Sequence, residues 1–363
     1  MKTLNPPIYF EDDLLDNETF LKLLQKHQGR FALITDEKVA SLYSKPFLDF
    51  MKKQEFECSL ITFCGGEKSK TRKTKEEIED KLLARKLGRD TLLVVLGGGV
   101  TTDIGGFVAA TYLRGVPYIS VPTSLLGIVD ASIGGKTGVN VKHAKNVIGA
   151  IYPPLAIFID LSMLATLPDS EILSGSAEIL KAGLIADKHL FEHLEEEVDK
   201  WKERNPGFLK KVIVESVKIK KKVVERDLKE GGERRILNFG HTIGHAIEAL
   251  EDYTLSHGDA IAIGMIVEAL ISQKMGHLSE TDFDGIYKLI RKMGFTLKIS
   301  DKVTTPSMKE TMMSDKKAAA AIPRFVILDR IGKVLSSKGD YCQPVEESLL
   351  EEALGWMVAE FNR

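Results

Sequence analysis

Short apolar runs alternate with charged stretches through the first third of the chain, and the two patterns repeat with different periods. Residues 31–36 (Phe-Ala-Leu-Ile-Thr-Asp) read as a strand ending in an acid, and 59–63 as a second strand. Residues 91–96 are almost wholly apolar, as a strand covered on both faces must be. Runs at 118–121 and 156–160 follow the same rule. Between these runs, 74–87 has the charge spacing of a solvated helix, and a further helix is expected from 101 to 112. Strands alternating with helices predict a parallel α/β sheet with right-handed crossovers. Past Pro168 the strand pattern fades until 325–328, and the intervening chain is helical by period. The chain is therefore expected to form a parallel-sheet α/β domain over 1–168 and a helical domain over 169–363, with a short hairpin near 324–335.

The helical half carries the sharpest polar pattern. Wound at 100° per residue, 238–252 separates into two stripes. Phe239, Ile243, Ile247 and Leu250 fall on one side, and Asn238, His241, His245 and Glu248 on another. A third histidine, His257, follows in an expected loop at 255–259. Such a cluster suits a metal ion or a phosphate, and the plainer alternative is an amphipathic helix with solvated histidines. Gly240 and Gly244 leave a notch for another backbone. Ser174-Gly175-Ser176 is expected to cap a helix over 177–186 that is apolar nearly all round except for Glu178 and Lys181. On a surface, that i,i+3 pair contributes only ~0.2–0.5 kcal/mol. Inside a core the same charges demand strong partners, which makes Glu178 the best carboxylate to join the histidines. The acidic stretch 192–203 reads as a solvated helix face. In the basic stretch 210–226, one or two of Lys218, Lys220, Lys221 and Lys222 are free to turn inward toward a phosphate.

Composition narrows the class. The chain has 363 residues and a formal net charge of -2, so bulk charge gives no support to polyanion binding. The thiols Cys58, Cys64 and Cys342 show no CxxC spacing, which excludes a cysteine zinc site and suits a reducing compartment. The first residues lack the apolar run of a signal peptide, and the longest apolar stretch, 260–267, ends at Glu268, too short to span a membrane. A soluble cytoplasmic protein is expected.

Two glycine-rich segments follow strands. Gly97-Gly98-Gly99, with Gly105-Gly106 beyond, lets backbone amides approach a pyrophosphate. It departs from GxGxxG, so a plain strand-to-helix turn stays open beside nucleotide binding. The loop from Asp130 through Gly134-Gly135-Lys136 to Asn140 suits an anion. Asp130 stands where a P-loop requires its first glycine, which argues against Walker-type ATP hydrolysis.

The ordered set GGGVTTD, PTSLL, VDASIGGKTGVN, KN, AEILK, RILNFGHTIGHAIE, SHGD and DKK resembles the 3-dehydroquinate synthase family over about residues 36–317. Thr102 and Ser124 depart from that family's commoner glycine and threonine, and both are small. The resemblance implies a Rossmann-like NAD-binding domain, a helical domain binding one divalent metal (zinc or cobalt), an active site between them, and a homodimer. Position by position it implies Glu178, His241 and His257 as metal ligands, and moves His245 from ligand to substrate contact. It gives Asp36, Glu67, Lys70, Gly98, Gly99, Asp103, Thr123, Ser124, Lys145 and Thr166 to NAD. Asp130, Lys136, Lys145, Asn146, Lys181 and His245 are implied as catalytic. Arg114, Lys220, Arg234, Asn238 and Lys316 or Lys317 are implied as substrate-binding, with Arg114 reaching a neighbouring subunit. The implied reaction takes 3-deoxy-D-arabino-heptulosonate 7-phosphate to 3-dehydroquinate by transient oxidation, phosphate elimination, reduction and aldol closure. The alternatives are another sugar-phosphate cyclase and a metal-dependent polyol or glycerol dehydrogenase.

Overall fold

The apolar runs fold into strands because each buries both of its faces. In the computed structural model, which describes residues 5–142, 144–314, 323–337 and 339–362, the chain forms two compact units, Met1–Ile172 and Leu173–Arg363. The first contains β1 (Ile8–Glu11), α1 (Glu18–Gln25), β2 (Phe31–Asp36), α2 (Glu37–Lys53), β3 (Cys58–Phe63), α3 (Arg72–Ala84), β4 (Leu92–Gly97), α4 (Gly99–Thr111), β5 (Tyr118–Pro122), β6 (Lys136–Val141), β7 (Ala144–Ile151) and β8 (Ile157–Asp160). Six of these strands make one parallel sheet in the order β1-β8-β5-β4-β2-β3. Alternate residues serve opposite cores. Ala32, Ile34, Leu93 and Val95 pack with Ile78, Ile104 and Val108 on one face. Phe31, Leu33, Val94 and Leu96 pack with Phe20, Phe47 and Phe158 on the other. Each large side chain fully buried in this way contributes about 1.5–3 kcal/mol.

The winding reverses between β2 and β4. From β2 the chain steps outward to β3, then returns across β2 to β4, β5 and β8. The carboxyl ends of β2 and β4 therefore flank a topological switch point, where open α/β sheets hold ligands. Asp36 ends one strand and Gly97 the other.

Two features of this unit differ from the sequence expectation. β1 was absent from it, because its four residues are only half-buried at a sheet edge and lack a strong apolar run. The anion loop expected from Asp130 to Asn140 runs instead into an antiparallel hairpin, β6–β7, in which Lys136 pairs with Ile151. Glycine, lysine and asparagine along these strands conceal the alternation of a strand.

The division at Ile172/Leu173 falls within α5 (Asp169–Ala186). The second unit continues with α6 (Lys188–Glu196), α7 (Val198–Lys202), α8 (Pro206–Arg226), α9 (His241–Leu250), α10 (His257–Lys274), α11 (Glu280–Met293), α12 (Thr305–Ser314), the short strands β9 (Arg324–Phe325), β10 (Leu328–Arg330), β11 (Lys333–Val334) and β12 (Gln343–Pro344), and α13 (Glu347–Phe361). Its centre is α10, buried without a break from Gly258 to Ser272. The backbone that fills the notch on α9 belongs to this helix. A side chain on Gly264 would stand 2.0 Å from the Gly240 carbonyl oxygen, and Gly240 itself has φ +78.

Local expectations were corrected here too. Ser174-Gly175-Ser176 lies inside α5 instead of capping it, since the helix starts earlier, at Asp169. The Ser174 hydroxyl instead accepts from the Gly258 amide, 3.1 Å away. The helix expected over 238–252 begins only at His241, after a 3-10 turn over Glu233–Asn238, because Gly240 breaks the helical path. Asn238 therefore leaves the histidine stripe, and its side chain donates to Glu230 at 3.0 Å. His257 opens α10 instead of lying in a loop, because Ser256 caps the helix: its hydroxyl accepts from the Asp259 amide and donates to the Asp259 carboxylate.

Candidate active site

Three helices, α5, α9 and α10, bring the polar side chains of the second unit together. Glu178 and Lys181, one turn apart on α5, are both buried, and the lysine Nζ donates to Glu178 Oε2. The other oxygen, Glu178 Oε1, is buried without a hydrogen bond. It lies 3.4 Å from His241 Nε2 and 3.6 Å from His257 Nε2. On the far side of His241, Nδ1 lies 3.1 Å from the Phe239 carbonyl. On the far side of His257, Nδ1 lies 3.5 Å from Glu248 Oε1. His245 is half-exposed, with its ring centroid 5.1 Å from that of His241.

This arrangement fits a divalent cation. An orphaned carboxylate oxygen and two imidazole nitrogens present donor atoms within 4.8 Å of one another, and their O, N, N character suits zinc or cobalt. The charge states of His241 and Glu178 agree with this, whereas His257, which its two carboxylate neighbours keep protonated, must release a proton to bind an ion. Burial and the nearby Lys181 cation hold His241 well below the usual imidazole range, so it keeps a free lone pair at neutral pH. Burial alone would raise the Glu178 carboxyl, but Lys181, His257 and Lys220 together hold it below the ordinary carboxylate range. Burial would likewise lower His257, yet Glu178 and Glu248 outweigh it and push the imidazole up to about 9.

Further cations of this unit lie on α8 and in the segment that follows it. Lys220 is buried on α8, while Lys218 and Lys222 are exposed. Arg234 is buried, donates to the Leu228 carbonyl at 2.7 Å, and sits in a loop whose amides at Gly231, Gly232 and Arg234 converge on Asp227. Lys316 and Lys317 lie outside the described residues.

In the first unit, the glycine turn after β4 leads into α4 with Gly98 as an N-cap that makes no side-chain bond. Its first-turn amides point where a helix N-terminus favours an anion. Around it, Thr101 donates to Asp36 Oδ2 at 3.0 Å, while Asp36 Oδ1 caps α2. Lys70 donates to Asp103 at 2.5 Å, both side chains being largely buried. Burial pushes the Asp103 carboxyl up to about 6 against the pull of Lys70, with Asp130 and Glu67 adding to the rise. The Thr123 amide bonds the Gly97 carbonyl, and Ser124 Oγ accepts from the Gly127 amide. Thr166 shows no bond to this turn; its hydroxyl bonds Tyr43 at 2.6 Å and the Met163 carbonyl at 3.1 Å.

The hairpin supplies the remaining positions of this unit. Lys136 opens β6 and is exposed, Lys145 is half-buried on β7, and Asn146 has φ +55. Asn140 ties Asn146 to Glu67, in the segment after β3. It donates to Glu67 at 2.7 Å and accepts from the Asn146 amide at 3.0 Å. Arg114 is exposed, at φ +68.

Two buried acids had no assigned role in the sequence reading. Glu248 shares the histidine stripe, and that shared spacing was the available signal. Glu268 gave none: it looked like the polar end of an apolar run, yet α10 continues buried past it. Its carboxyl faces the amides of Gly240, Thr242 and Ile243 at the start of α9, without a hydrogen bond of ordinary geometry, and burial raises it to about 8.

A parallel sheet followed in one chain by a helical unit is the fold shared by sugar-phosphate cyclases and by more distant dehydrogenases. A 2-epi-5-epi-valiolone synthase from Streptomyces hygroscopicus subsp. jinggangensis 5008, solved with NAD+ and Zn2+, is 28% identical, with a TM-score of 0.89 over 99% of this chain and 98% of that one. A 2-deoxy-scyllo-inosose synthase, solved with carbaglucose-6-phosphate, NAD+ and Co2+, is also 28% identical, with a TM-score of 0.86 over 96% of each chain. A probable glycerol dehydrogenase from Sinorhizobium meliloti 1021, at 15% identity and TM-score 0.60, shares the fold alone.

Sequence likeness identifies the family. Residues 60–174 match the family model of the 3-dehydroquinate synthase N-terminal part, and 175–318 that of the C-terminal part. The 3-dehydroquinate synthase of Thermoanaerobacter pseudethanolicus is 40% identical over 336 residues, which is 92% of this chain and 94% of the relative. That of Acidithiobacillus ferrooxidans is 43% identical over 323 residues, 89% and 88% of the two chains. The chain belongs to the 3-dehydroquinate synthase family. Among the described residues, no helix is long and apolar enough to cross a membrane.

Proposed function

We propose that this chain converts 3-deoxy-D-arabino-heptulosonate 7-phosphate to 3-dehydroquinate and phosphate, a carbon–oxygen lyase reaction with NAD and one divalent ion as resident cofactors, in the cytoplasm. The observation that carries the reading is the buried Glu178–Lys181 pair facing His241 and His257, with Lys220 close enough to act on the same carboxylate. Buried cations beside a ready donor set suit a substrate that brings two anionic groups, a carboxylate and a phosphate.

In this reading Glu178, His241 and His257 hold the ion. Gly98, Gly99, Asp36, Glu67, Lys70, Asp103, Thr123, Ser124, Lys145 and Thr166 hold the dinucleotide. When bound, the dinucleotide accepts and later returns a hydride while the ion supplies Lewis acidity, so turnover leaves no net redox change. Lys181, paired with Glu178, orients an anionic substrate oxygen. Lys220 meets the phosphate as a point charge, and Arg234, its guanidinium anchored on the Leu228 carbonyl, suits the planar carboxylate. Asp130, Lys136, Asn146, Asn238 and Lys316 or Lys317 complete the substrate contacts. His245 and Lys145 handle protons beside the substrate phosphate itself. The proposed assembly is a homodimer in which Arg114 of each subunit serves its neighbour, and its mass in solution is checked by light scattering.

The site assignment is tested by kinetics. Lys181→Ala and His257→Ala should each abolish phosphate release from the heptulosonate while circular dichroism stays that of the parent. A parent-like rate in both variants would overturn it.

A further inference from the structure

Glu248 is a buried acid to which the proposed reaction gives no part. It sits on α9 with its side chain 6% exposed, its Oε1 3.5 Å from His257 Nδ1 and its Oε2 3.9 Å from His245 Nε2. The other nitrogen of His257 faces Glu178 Oε1 at 3.6 Å. The imidazole of His257 thus lies between two carboxylates, one on each nitrogen.

A neutral imidazole carries one N–H and one lone pair, so the partner of one nitrogen decides what the other can do. A carboxylate on Nδ1 holds the proton there and turns the Nε2 lone pair toward Glu178. His241 shows the same division by other means: its Nδ1 lies 3.1 Å from the Phe239 carbonyl, and its Nε2 faces the same Glu178 oxygen at 3.4 Å. The two histidines differ in how firmly they are held. Phe239 is two residues from His241, whereas the Nδ1 of His257, at the start of its helix, faces the Glu248 side chain instead.

We propose that Glu248 is the positioning residue of the cation site: it fixes the Nδ1–H tautomer and the ring direction of His257, and so sets the affinity of the site for its ion. The inference rests on the reading that Glu178, His241 and His257 hold a divalent cation. It also joins His245 to that site through the second carboxylate oxygen. A rival geometry exists, because donor atoms of His245, Glu248 and His257 also lie within 4.8 Å of one another. A second ion there would require both nitrogens of His257 to give up their protons, which disfavours it.

The test uses the full chain, stripped with a chelator and titrated with Zn2+ against a chromogenic competitor, and with Co2+ followed by its visible absorption. The parent should bind one equivalent. Glu248→Ala should bind it roughly 10–100-fold more weakly, the usual cost of losing an outer partner of a metal-bound histidine. Its Co2+ band should shift, and its metal-free melting temperature should stay near that of the parent. Glu248→Gln, whose amide oxygen still accepts from Nδ1–H, should recover most of the affinity and the parent spectrum. Affinity in Glu248→Ala within twofold of the parent overturns the proposal alone. Two equivalents on the parent and one on the variant would make Glu248 a ligand and overturn it likewise. A parent that takes up no ion removes the metal reading and the proposal together.

Discussion

Each unit buries a lysine against a carboxylate, and the two pairs settle into opposite electrostatic states. In the first unit Lys70 meets Asp103, and burial still pushes that carboxyl up to about 6. In the second unit Lys181 meets Glu178, which is more deeply buried and yet held below the ordinary range. The neighbours decide the outcome. Asp103 has Asp130 and Glu67 nearby, which add to the cost of its charge. Glu178 has Lys220 and His257 as well as its lysine. One cation does not offset the burial of a carboxylate among other acids, whereas several do. The consequence is functional. A carboxylate kept ionised within a field of cations can serve a metal and leave the cations for an anionic substrate.

The comparison breaks most visibly at Glu178. Glu178→Gln strips the charge that its lysine was buried against, so chelator-treated protein should lose ~3–5 kcal/mol at pH 7, read by urea unfolding. A depressed carboxyl contributes stability above its unfolded value of 4.5, so the deficit should persist at every pH from 5 upward.

Neutralising an acid with a raised pKa should act in the other direction. Glu268 keeps its proton in the folded state up to about 8 but loses it near 4.5 when unfolded. Parental stability from this group is complete below 4.5 and is lost as pH rises to 8. Glu268→Gln, spared that loss, should melt near the parent at pH 4.5 and at least roughly 2–4 °C above it at pH 8.5. Equal melting temperatures across that range would show that the α9 amides already satisfy the ionised carboxylate.

Asp103→Asn should show the smallest effect. The same sign holds over a narrower window, between an unfolded value of 3.8 and about 6. The variant should gain a degree or two of melting temperature over the parent across that interval, about the effect of ~0.5 kcal/mol in a unit of this size. Its affinity for NAD, measured by calorimetry, should fall. A loss of stability like that of Glu178→Gln would mean that the two pairs are alike after all.

Much of this was legible in the sequence, and what was not has a common cause. The buried strands β2, β4, β5 and β8 declare themselves because residues covered on both faces are mostly apolar. Edge strand β1, only four residues long, and hairpin β6–β7, whose glycine, lysine and asparagine conceal the alternation, do not. The same holds for the acids. Glu178 stood out because its helix is apolar around it. Glu248 and Glu268 resemble ordinary solvated positions until tertiary packing buries them, one against a histidine and the other under the start of α9. His257 was visible as a histidine, but its place at the head of α10 depends on Ser256 as the helix cap.

A cyclase of this kind uses its dinucleotide without consuming it. The most direct measurement gives the chain heptulosonate 7-phosphate, catalytic NAD and zinc, and follows phosphate and the NADH absorption band in one cuvette. The account predicts phosphate in proportion to substrate consumed, with no lasting NADH. NADH accumulating on a polyol, with no phosphate released from the heptulosonate, would contradict it.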